Sequence, residues 1–290
     1  FKFLGLSVFD AHPHIQHFAL DTYRSPIESD QIQNVNGIIA LVPHVTAETL
    51  SHPEDLLAIA RFGVGYDSVD VPACTDADVL LFVASGAVDR SVAEATVGWM
   101  IALTHNMRIK DNLVRTGAWD DRTNYMGKEI RDRTYGAAGL GGIARETIRL
   151  LSIFGMNPPI AFDPYVDPKI ASDLGVQLVD LDTLMQQADF VSVHCPLTDG
   201  TRNLIGESEL AQMKPEAYLI NTARGGIVNE DALHKALQNN QIAGAALDCF
   251  VGEPITKPSR FADLENVIMA PHSVAWTDEI FRDIGQTVCQ

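Results

Sequence analysis

Short apolar runs alternate with amphipathic stretches along nearly the whole chain. In the N-terminal third, apolar runs predict buried strands at Phe3–Val8, Gly37–Val42, Leu56–Ala60 and Val79–Val83. Helical or loop segments separate these runs. This order is typical of a small parallel α/β layer.

The second half of the chain repeats the same order with more regular spacing. After a strand, turn and helix that begin near Arg133, further strands are predicted at Gln177–Val179, Phe190–Val193, Ala217–Ile220, Gly244–Leu247 and Val267–Met269. The stretches between them predict helices at Leu181–Gln187, Ser208–Gln212 and Glu230–Gln238. Repeated β-α-β units with short apolar strands predict a doubly wound parallel sheet.

A long helical pattern over residues 91–117 connects the two halves. Ser91, with Glu94 three residues later, matches the capping box that begins many helices. A helix of about 25 residues spans roughly 37 Å, which is long enough to bridge two domains. We therefore predict a first domain of residues 1–104 plus 276–290 and a second domain of residues 105–275.

The turn of the second half has the sequence GLGGIA from Gly139 to Ala144, which matches a dinucleotide-binding turn. Gly139 permits the backbone angles of a tight strand-to-helix turn. Gly141 leaves room for a pyrophosphate, and the N-terminus of the next helix offers N–H groups and partial positive charge. Because glycine-rich turns without ligands are common, the turn alone leaves a purely structural role open.

An acidic residue stands where a dinucleotide fold binds the ribose. Asp163 ends the next apolar run, 22 residues after Gly141. Its carboxylate would accept hydrogen bonds from ribose hydroxyls and repel a 2′-phosphate, which favours NAD over NADP. The glycines, the helix and the acid together predict a Rossmann domain with NAD as the cofactor.

Composition and charge exclude several classes of protein. The chain has 290 residues, of which 46% are hydrophobic and 20% charged, as in an ordinary globular enzyme of about two domains. A net charge of −17 argues against a nucleic-acid partner, and no apolar run is long enough to span a membrane. Four cysteines without CxxC pairing are typical of a reducing cytoplasm. Because the chain opens at Phe1 and ends in an interrupted helical pattern, neither end supports an argument.

Polar side chains follow the predicted strands of the second half. His194, Arg224, Asp248, Glu253 and His272 all lie in segments that come directly after a strand. Ligands of such sheets bind beyond the carboxyl ends of the strands, so we expect these side chains to converge. A structural salt bridge is the alternative, and it would be favoured if the residues lay in mid-strand or mid-helix.

This set of side chains suits the reduction of a 2-oxo acid. His272 is a natural general acid because imidazole titrates near neutrality, and Glu253 would orient its ring. Arg224 can donate two hydrogen bonds to a carboxylate and polarise an adjacent carbonyl. Asp248 could accept from the carboxamide of a nicotinamide. The cofactor would then supply the hydride and His272 the proton.

Two segments of the first half also contain candidate ligands. The glycines around Val64–Gly65 expose backbone N–H groups that could hold a substrate carboxylate, although the segment alone favours a plain tight turn. His12, His14 and His17 could bind a metal, but no carboxylate cluster accompanies them. A solvated loop is therefore favoured, and no metal site is predicted.

Several segments resemble the D-isomer-specific 2-hydroxyacid dehydrogenase family, which includes phosphoglycerate, glyoxylate/hydroxypyruvate and D-lactate dehydrogenases. They are RFGVGYDSVD, SVAEATVGWMIAL, GAAGLGGIA with FDPY, HCPLTDGTRNLI, MKPEAYLINTARGGIVNEDAL, AGAALDCFVGEP and APHS. They span nearly the whole sequence in the family's order and are jointly specific. The resemblance implies an α/β fold of two doubly wound parallel-sheet domains, a flavodoxin-like substrate domain and a Rossmann NAD-binding domain.

The resemblance also implies which residues form the site. The catalytic positions fall on Arg224, Glu253 and His272, and the substrate would bind at Val64, Gly65 and Arg224. The positions expected to contact the cofactor are Gly139, Gly141, Gly142, Ile143, Asp163, His194, Cys195, Pro196, Thr201, Thr222, Ala223 and Asp248. The resemblance further implies NAD as cofactor, a small 2-oxo or 2-hydroxy acid substrate and a homodimer, while the cysteine usage predicts a cytoplasmic location. The last helix is expected to fold back onto the first domain.

The chain departs from the family pattern at a few positions. Gly142 stands where an arginine is common, which removes a cation near the pyrophosphate. Ala144 replaces the third glycine, which the general pattern tolerates. Glu253 argues against a formate dehydrogenase, because those enzymes carry glutamine at this position. We expect no regulatory domain within these 290 residues, unlike the longer phosphoglycerate enzymes.

An alternative function is that of a dinucleotide-sensing interaction protein. The C-terminal-binding corepressors resemble this family and use NAD(H) to promote assembly. Trp276 follows His272 by four residues, whereas their HxxW pattern has a spacing of three, and no peptide-binding cleft is recognisable in the sequence. We therefore favour an NAD-dependent oxidoreductase that interconverts a 2-oxo acid and the D-2-hydroxy acid.

Overall fold

A computed structural model describes residues 6–290 of the chain. Residues 3–5 of the predicted strand Phe3–Val8 lie outside this range. Its remaining residues belong to a 3-10 helix, Leu6–Ala11, so the strand prediction is wrong for them. This helix satisfies its backbone groups locally and buries none of its residues, whereas a strand needs a neighbour to pair with.

The described residues form two compact units. One contains the residues up to Ser91 together with Trp276–Gln290, and the other contains Val92–Ala275. The division between Ser91 and Val92 falls inside the helix α2 (Asp89–Thr104). One continuous helix therefore belongs to both units, and the domain boundary that the sequence predicts at residue 104 stays a prediction.

The first unit is built on a three-stranded parallel sheet. Its strands are β1 (Gly37–Ala40), β2 (Ala58–Arg61) and β3 (Leu80–Val83), in that order, which confirms the three later strand predictions. The helix α1 (Val71–Asp76) begins where the Asp70 carboxylate accepts a hydrogen bond from the Ala73 N–H.

The last helix, α9 (Asp278–Cys289), belongs to the first unit, as the family resemblance implied. It packs against the 3-10 helix Leu6–Ala11. The rings of Phe281 and Phe62 lie 5.9 Å apart, so α9 also covers the loop that follows β2. Ser91, predicted as a helix N-cap, lies inside α2, and its hydroxyl instead pairs with that of Thr277 at 3.3 Å.

The long helix predicted over residues 91–117 is two helices. The helix α2 ends at Thr104, and α3 (Met107–Thr116) follows after a break at Asn106, which has a left-handed backbone with φ of 52°. The Asn106 amide donates to the carbonyl oxygens of Tyr125 and Met126, at 3.5 and 3.3 Å. These contacts with a distant segment stabilise the break.

The second unit contains a seven-stranded sheet in which every neighbouring pair is parallel. The strands are β4 (Tyr135–Ala138), β5 (Ile160–Phe162), β6 (Gln177–Leu178), β7 (Phe190–Val193), β8 (Tyr218–Asn221), β9 (Gly244–Leu247) and β10 (Val267–Met269). Their order is β10-β9-β8-β7-β4-β5-β6. The chain therefore reverses direction across the sheet between β4 and β7, which is the ligand-binding switch point of a doubly wound fold.

Helices cover both faces of this sheet. They are α4 (Gly142–Leu151), α5 (Pro168–Asp173), α6 (Leu181–Gln187), α7 (Glu207–Leu210) and α8 (Glu230–Gln238). One apolar core contains residues of α2, α4 and α5, and the other contains residues of α6, α7 and α8. The central strands are accordingly buried along their whole length.

This architecture confirms the predicted α/β fold class and its Rossmann sheet. Because all seven strands run in one direction, the segments that follow them emerge at a single edge. Among the described residues, no helix is long and apolar enough to cross a membrane.

Candidate active site

The glycine turn after β4 lies against the segment that follows β7. Gly139 has φ of +100°, and a Cβ there would lie 2.8 Å from the Cys195 nitrogen. A side chain at this position would therefore both strain the backbone and push the two loops apart. Glycine is required for this close approach.

The helix α4 begins with unpaired N–H groups beside open space. Gly141 is its N-cap residue, and no side chain caps the first turn, which starts with Gly142 and Ile143. A Cβ at Gly141 would have no neighbour within 4 Å in the described part of the chain. Such a helix N-terminus with free space in front of it can bind an anion.

Asp163, predicted to bind the ribose, also fixes the glycine turn. Its Oδ2 accepts a hydrogen bond from the Leu140 N–H at 2.8 Å. Its Oδ1 accepts from the N–H groups of Tyr165 and Val166, at 2.9 and 3.1 Å. A carboxylate has about four acceptor sites, so one remains for a ribose hydroxyl. The structure thus adds an anchoring role that the sequence did not indicate.

The loop after β7 contains four of the predicted cofactor residues. Burial raises the pKa of the Cys195 thiol to about 11, so this thiol is neutral near pH 7. The Thr201 hydroxyl donates to the Pro196 carbonyl oxygen at 2.6 Å and accepts from the Thr198 N–H at 2.8 Å. Thr201 therefore holds the shape of the loop, and its direct contact with a cofactor stays a prediction.

His194, another of these four predicted cofactor residues, is held in the neutral form. Its Nε2 lies 2.8 Å from both the Tyr135 and the Ser192 hydroxyl oxygens. Its Nδ1 is buried and has no hydrogen-bond partner in the described part of the chain. Burial lowers the pKa of His194 to about 4. The Tyr135 contact could not be predicted from the sequence, because it joins β4 to the segment after β7.

The segment after β8 places Arg224 close to the segment after β9. The Asn221 side chain donates to the Arg224 carbonyl oxygen at 2.9 Å and accepts from the Ala223 N–H at 3.0 Å, which fixes the turn. The Arg224 guanidinium donates to the Ala223 carbonyl oxygen at 2.7 Å. A Cβ at Gly225 would lie 2.1 Å from the Phe250 carbonyl carbon, so only glycine allows the two segments to cross there.

Glu253 and His272 form a hydrogen-bonded pair. The Nδ1 of His272 lies 2.6 Å from the Oε2 of Glu253, and the Phe250 N–H donates to Oε1 at 2.7 Å. Burial raises the pKa of the Glu253 carboxyl, but the hydrogen bonds from His272 and Phe250 and the charge of Arg224 outweigh it, so that pKa lies below its usual value. An ionised carboxylate only accepts, so Nδ1 holds the proton of this bond and Nε2 is left to exchange one.

Asp248 holds the turn that contains His272. The His272 N–H donates to the Asp248 carbonyl oxygen at 2.8 Å, and the N–H groups of Ser273 and Val274 donate to its carboxylate at 2.9 to 3.2 Å. His272 has φ of 53°, which is uncommon for a residue with a side chain. These bonds to Asp248 stabilise that conformation. A contact between Asp248 and a nicotinamide carboxamide stays a prediction.

The residues at this edge fit a dinucleotide. The N-terminus of α4 is uncapped beside open space, and Asp163 retains an acceptor site near it. The Thr222 hydroxyl oxygen is buried without a hydrogen-bond partner among residues 6–290, as expected of a group that binds a ligand. An anion site, a ribose acceptor and an unsatisfied hydroxyl thus occur on one edge of the sheet.

Two groups of candidates lie in the first unit. Val64 and Gly65 follow β2, and their predicted contact with the substrate carboxylate stays a prediction. His12, His14 and His17 are all exposed. They do not form a metal-ligand cluster: in the described part of the chain, the one group of three close ligand residues is elsewhere, in the second unit.

Comparison with known proteins agrees with this geometry. Residues 97–274 match the family model described as the NAD binding domain of D-isomer specific 2-hydroxyacid dehydrogenase. The (S)-sulfolactate dehydrogenase of Chromohalobacter salexigens is 40% identical over 251 residues, which cover 84% of this chain and 80% of that protein. The solved structure of D-lactate dehydrogenase from Aquifex aeolicus, complexed with NAD and lactic acid, has a TM-score of 0.87 and 27% identity, over 97% of this chain and 89% of that one.

A third relative is longer than this chain. The D-3-phosphoglycerate dehydrogenase of Methanocaldococcus jannaschii is 39% identical over 247 residues, which cover 85% of this chain but 47% of that protein. The chain thus spans about half the length of the D-3-phosphoglycerate dehydrogenases that it matches. The family match over residues 97–274 confirms the predicted NAD-binding domain. On these matches, the chain belongs to the D-isomer specific 2-hydroxyacid dehydrogenase family.

Proposed function

We propose that the protein is an NAD-dependent oxidoreductase that interconverts a small 2-oxo acid and the corresponding D-2-hydroxy acid. The observation that carries this proposal is the 2.6 Å contact between His272 Nδ1 and Glu253 Oε2, at the edge of the sheet that also contains the glycine turn. A carboxylate-oriented imidazole near a dinucleotide site is suited to proton transfer coupled to hydride transfer.

In this mechanism the chain's own residues handle the proton and the substrate charge. His272 Nε2 would donate the proton to the substrate oxygen during reduction and accept it during oxidation. Glu253, which is ionised near neutrality, would stabilise the imidazolium by accepting from Nδ1. NAD, when bound, supplies or accepts the hydride.

Arg224 would bind the substrate through its guanidinium. Its planar group can donate two hydrogen bonds to a carboxylate, and its charge polarises the adjacent carbonyl. We propose that the N–H groups at Val64 and Gly65 also bind the substrate. The uncapped turn of α4, Asp163 and the Thr222 hydroxyl would hold the dinucleotide.

The predicted homodimer and cytoplasmic location are also proposals. In support of a reducing compartment, all four cysteines lie within the described residues, and no disulfide joins any two of them. The corepressor alternative gains no support, because the matched relatives are named as dehydrogenases and reductases.

The test is NADH oxidation with glyoxylate, hydroxypyruvate, phosphohydroxypyruvate, pyruvate and 3-sulfopyruvate as substrates. We expect turnover with at least one of them and a loss of about 10²–10⁴-fold in His272→Ala, the usual contribution of general acid catalysis. NADH affinity, measured by fluorescence titration, should remain largely intact. Wild-type turnover in His272→Ala would contradict the assignment of the proton donor.

His234→Ala provides a matched control, because it removes a histidine that packs against Phe261 in the core of the second unit. Its kcat should stay near the wild-type value. If no 2-oxo acid is reduced although NADH binds, the interaction-protein alternative would replace the enzyme.

A further inference from the structure

A cysteine lies beside the Glu253–His272 pair. Cys249 follows Asp248 at the end of β9 and is only 3% exposed, with its Sγ 3.3 Å from the Ala223 carbonyl oxygen. Its Sγ, a carboxylate oxygen of Glu253 and a ring nitrogen of His272 all lie within 4.8 Å of one another. The proposed reaction gives this thiol no role.

These three atoms are the donors that zinc prefers. Zn²⁺ binds thiolate sulfur at about 2.3 Å and imidazole nitrogen or carboxylate oxygen at about 2.0–2.2 Å, in tetrahedral geometry. Ligand atoms around one such ion therefore stand roughly 3.3–3.8 Å apart. The three atoms lie within 4.8 Å of one another, and side-chain rotations would bring them to this spacing.

The charges of the set also suit a divalent ion. A thiolate and a carboxylate together neutralise Zn²⁺, and the ion displaces the thiol proton as it binds. The neighbouring Arg224 charge opposes a cation, whereas the Asp248 carboxylate next to Cys249 favours one. The thiolate selects a thiophilic ion over Mg²⁺ or Ca²⁺, which prefer oxygen ligands.

An ion can reach the three ligand residues from the side on which Glu253 and His272 lie. The Glu253 and His272 side chains are 31% and 42% exposed, so an ion can approach these two ligands from solvent, whereas Cys249 is buried behind them. Three protein ligands leave a fourth position for water, as in open zinc sites. Both members of the proton-transfer pair would then be coordinated to the ion.

We propose that Cys249, Glu253 and His272 form an inhibitory binding site for a thiophilic divalent ion, represented by Zn²⁺. Occupation of this site removes His272 and Glu253 from proton transfer and is reversed by a chelator. The binding itself does not depend on the proposed function, whereas the inhibition rests on it.

The binding experiment uses the full chain, reduced and freed of metal, titrated with Co²⁺ and followed by absorption. We expect a thiolate-to-cobalt charge-transfer band and the d–d bands of a tetrahedral site. Both should saturate near one equivalent of Co²⁺ and disappear when Zn²⁺ displaces the cobalt. Cys249→Ser should lose the charge-transfer band and bind Zn²⁺ at least about ten-fold more weakly, the low end of the loss caused by removing even an outer-sphere partner.

Cys289→Ser is the matched control, because it removes a thiol of α9 and should keep the whole cobalt spectrum. A wild-type spectrum without a thiolate band would overturn the proposal, as would equal Zn²⁺ affinity in Cys249→Ser. If Cys249→Ser does not fold, Glu253→Gln should still weaken Zn²⁺ binding by a similar factor. Unchanged Zn²⁺ affinity in a folded Glu253→Gln would equally count against the site.

The inhibition experiment measures NADH oxidation with the best 2-oxo acid at increasing free Zn²⁺. Wild type should lose activity and recover it with a chelator. Cys249→Ser should keep its basal activity and require at least about ten-fold more Zn²⁺ for half inhibition. If no 2-oxo acid is turned over, the proposed function fails, but the cobalt spectrum still decides whether the metal site exists.

Discussion

Burial of a neutral imidazole at His194 predicts a specific dependence of stability on pH. The ordinary pKa of histidine is about 6.5 in an unfolded chain, and burial lowers it to about 4 in the fold. The physical reason is that protonation would place a charge in a dry site and give the buried Nδ1 a proton without an acceptor. The unfolded chain therefore binds a proton at higher pH than the folded chain does.

The sign and size of the effect follow from this difference in pKa. Above the pKa of His194 in the unfolded chain, neither the folded nor the unfolded state is protonated at this residue. The free energy of unfolding is then not reduced by His194. As the pH falls from about 6.5 to about 4, the unfolded state gains a proton and the fold loses stability. The loss from this one group is about 2 kcal/mol at about pH 5 and about 3 kcal/mol at the lower end of the window.

The assay is urea unfolding without cofactor, followed by the fluorescence of Trp99, which lies in the same apolar core as Tyr135. The exposed Trp119 and Trp276 are replaced by phenylalanine in all proteins compared. Other groups also titrate, so the measured quantity is the difference in unfolding free energy between this background and the same background with His194→Gln. Between about pH 8 and about pH 5 that difference should change by about 2 kcal/mol.

A control separates titration from loss of a contact. Tyr135→Phe removes the hydroxyl that pairs with Nε2 but keeps the imidazole, so it should lower stability and retain the steep part of the pH dependence. If the difference between the background and His194→Gln is the same at both pH values, His194 is not held neutral by the fold, and the reasoning is wrong.

Three further substitutions test the site. Gly139→Ala should cost about 1–3 kcal/mol in urea unfolding and weaken NADH binding, because its Cβ would press on the Cys195 nitrogen; wild-type values for both would contradict the close approach. Asp248→Ala should cost about 1.5–3 kcal/mol and lower kcat more than NADH affinity, because the turn with His272 loses its anchor. Asp163→Ala should relax the preference for NADH over NADPH and also destabilise the protein, so unchanged discrimination would remove that residue from ribose recognition.

Helices whose signals are local in sequence were predicted closely. Leu181–Gln187 and Glu230–Gln238 have the same bounds in the structure as in the prediction. Their N-cap residues, Asp180 and Asn229, accept hydrogen bonds from N–H groups three residues later, so the start signal lies within a few residues. The ends of the strands, and the polar residues that follow them, were predicted equally well, because short buried runs alternate with amphipathic ones.

Elements that depend on distant partners were predicted less well. Asn106 breaks the long helix because its side chain bonds to carbonyl groups near residue 125, and no glycine or proline marks that position in the sequence. The strand predicted at Phe3–Val8 is wrong over residues 6–8, which belong to the 3-10 helix Leu6–Ala11, because apolar residues carry no information about a pairing partner.

The sequence by itself determined the Rossmann unit, its glycine turn, its ribose acid and the candidate residues after each strand, since these depend on the order of neighbouring residues. Only the tertiary structure decided which side chains from different strands meet: His194 with Tyr135, and Cys249 and Glu253 with His272. The order of strands in the sheet sets those distances. Residues far apart in the chain are then held a few ångströms apart, which no local pattern records.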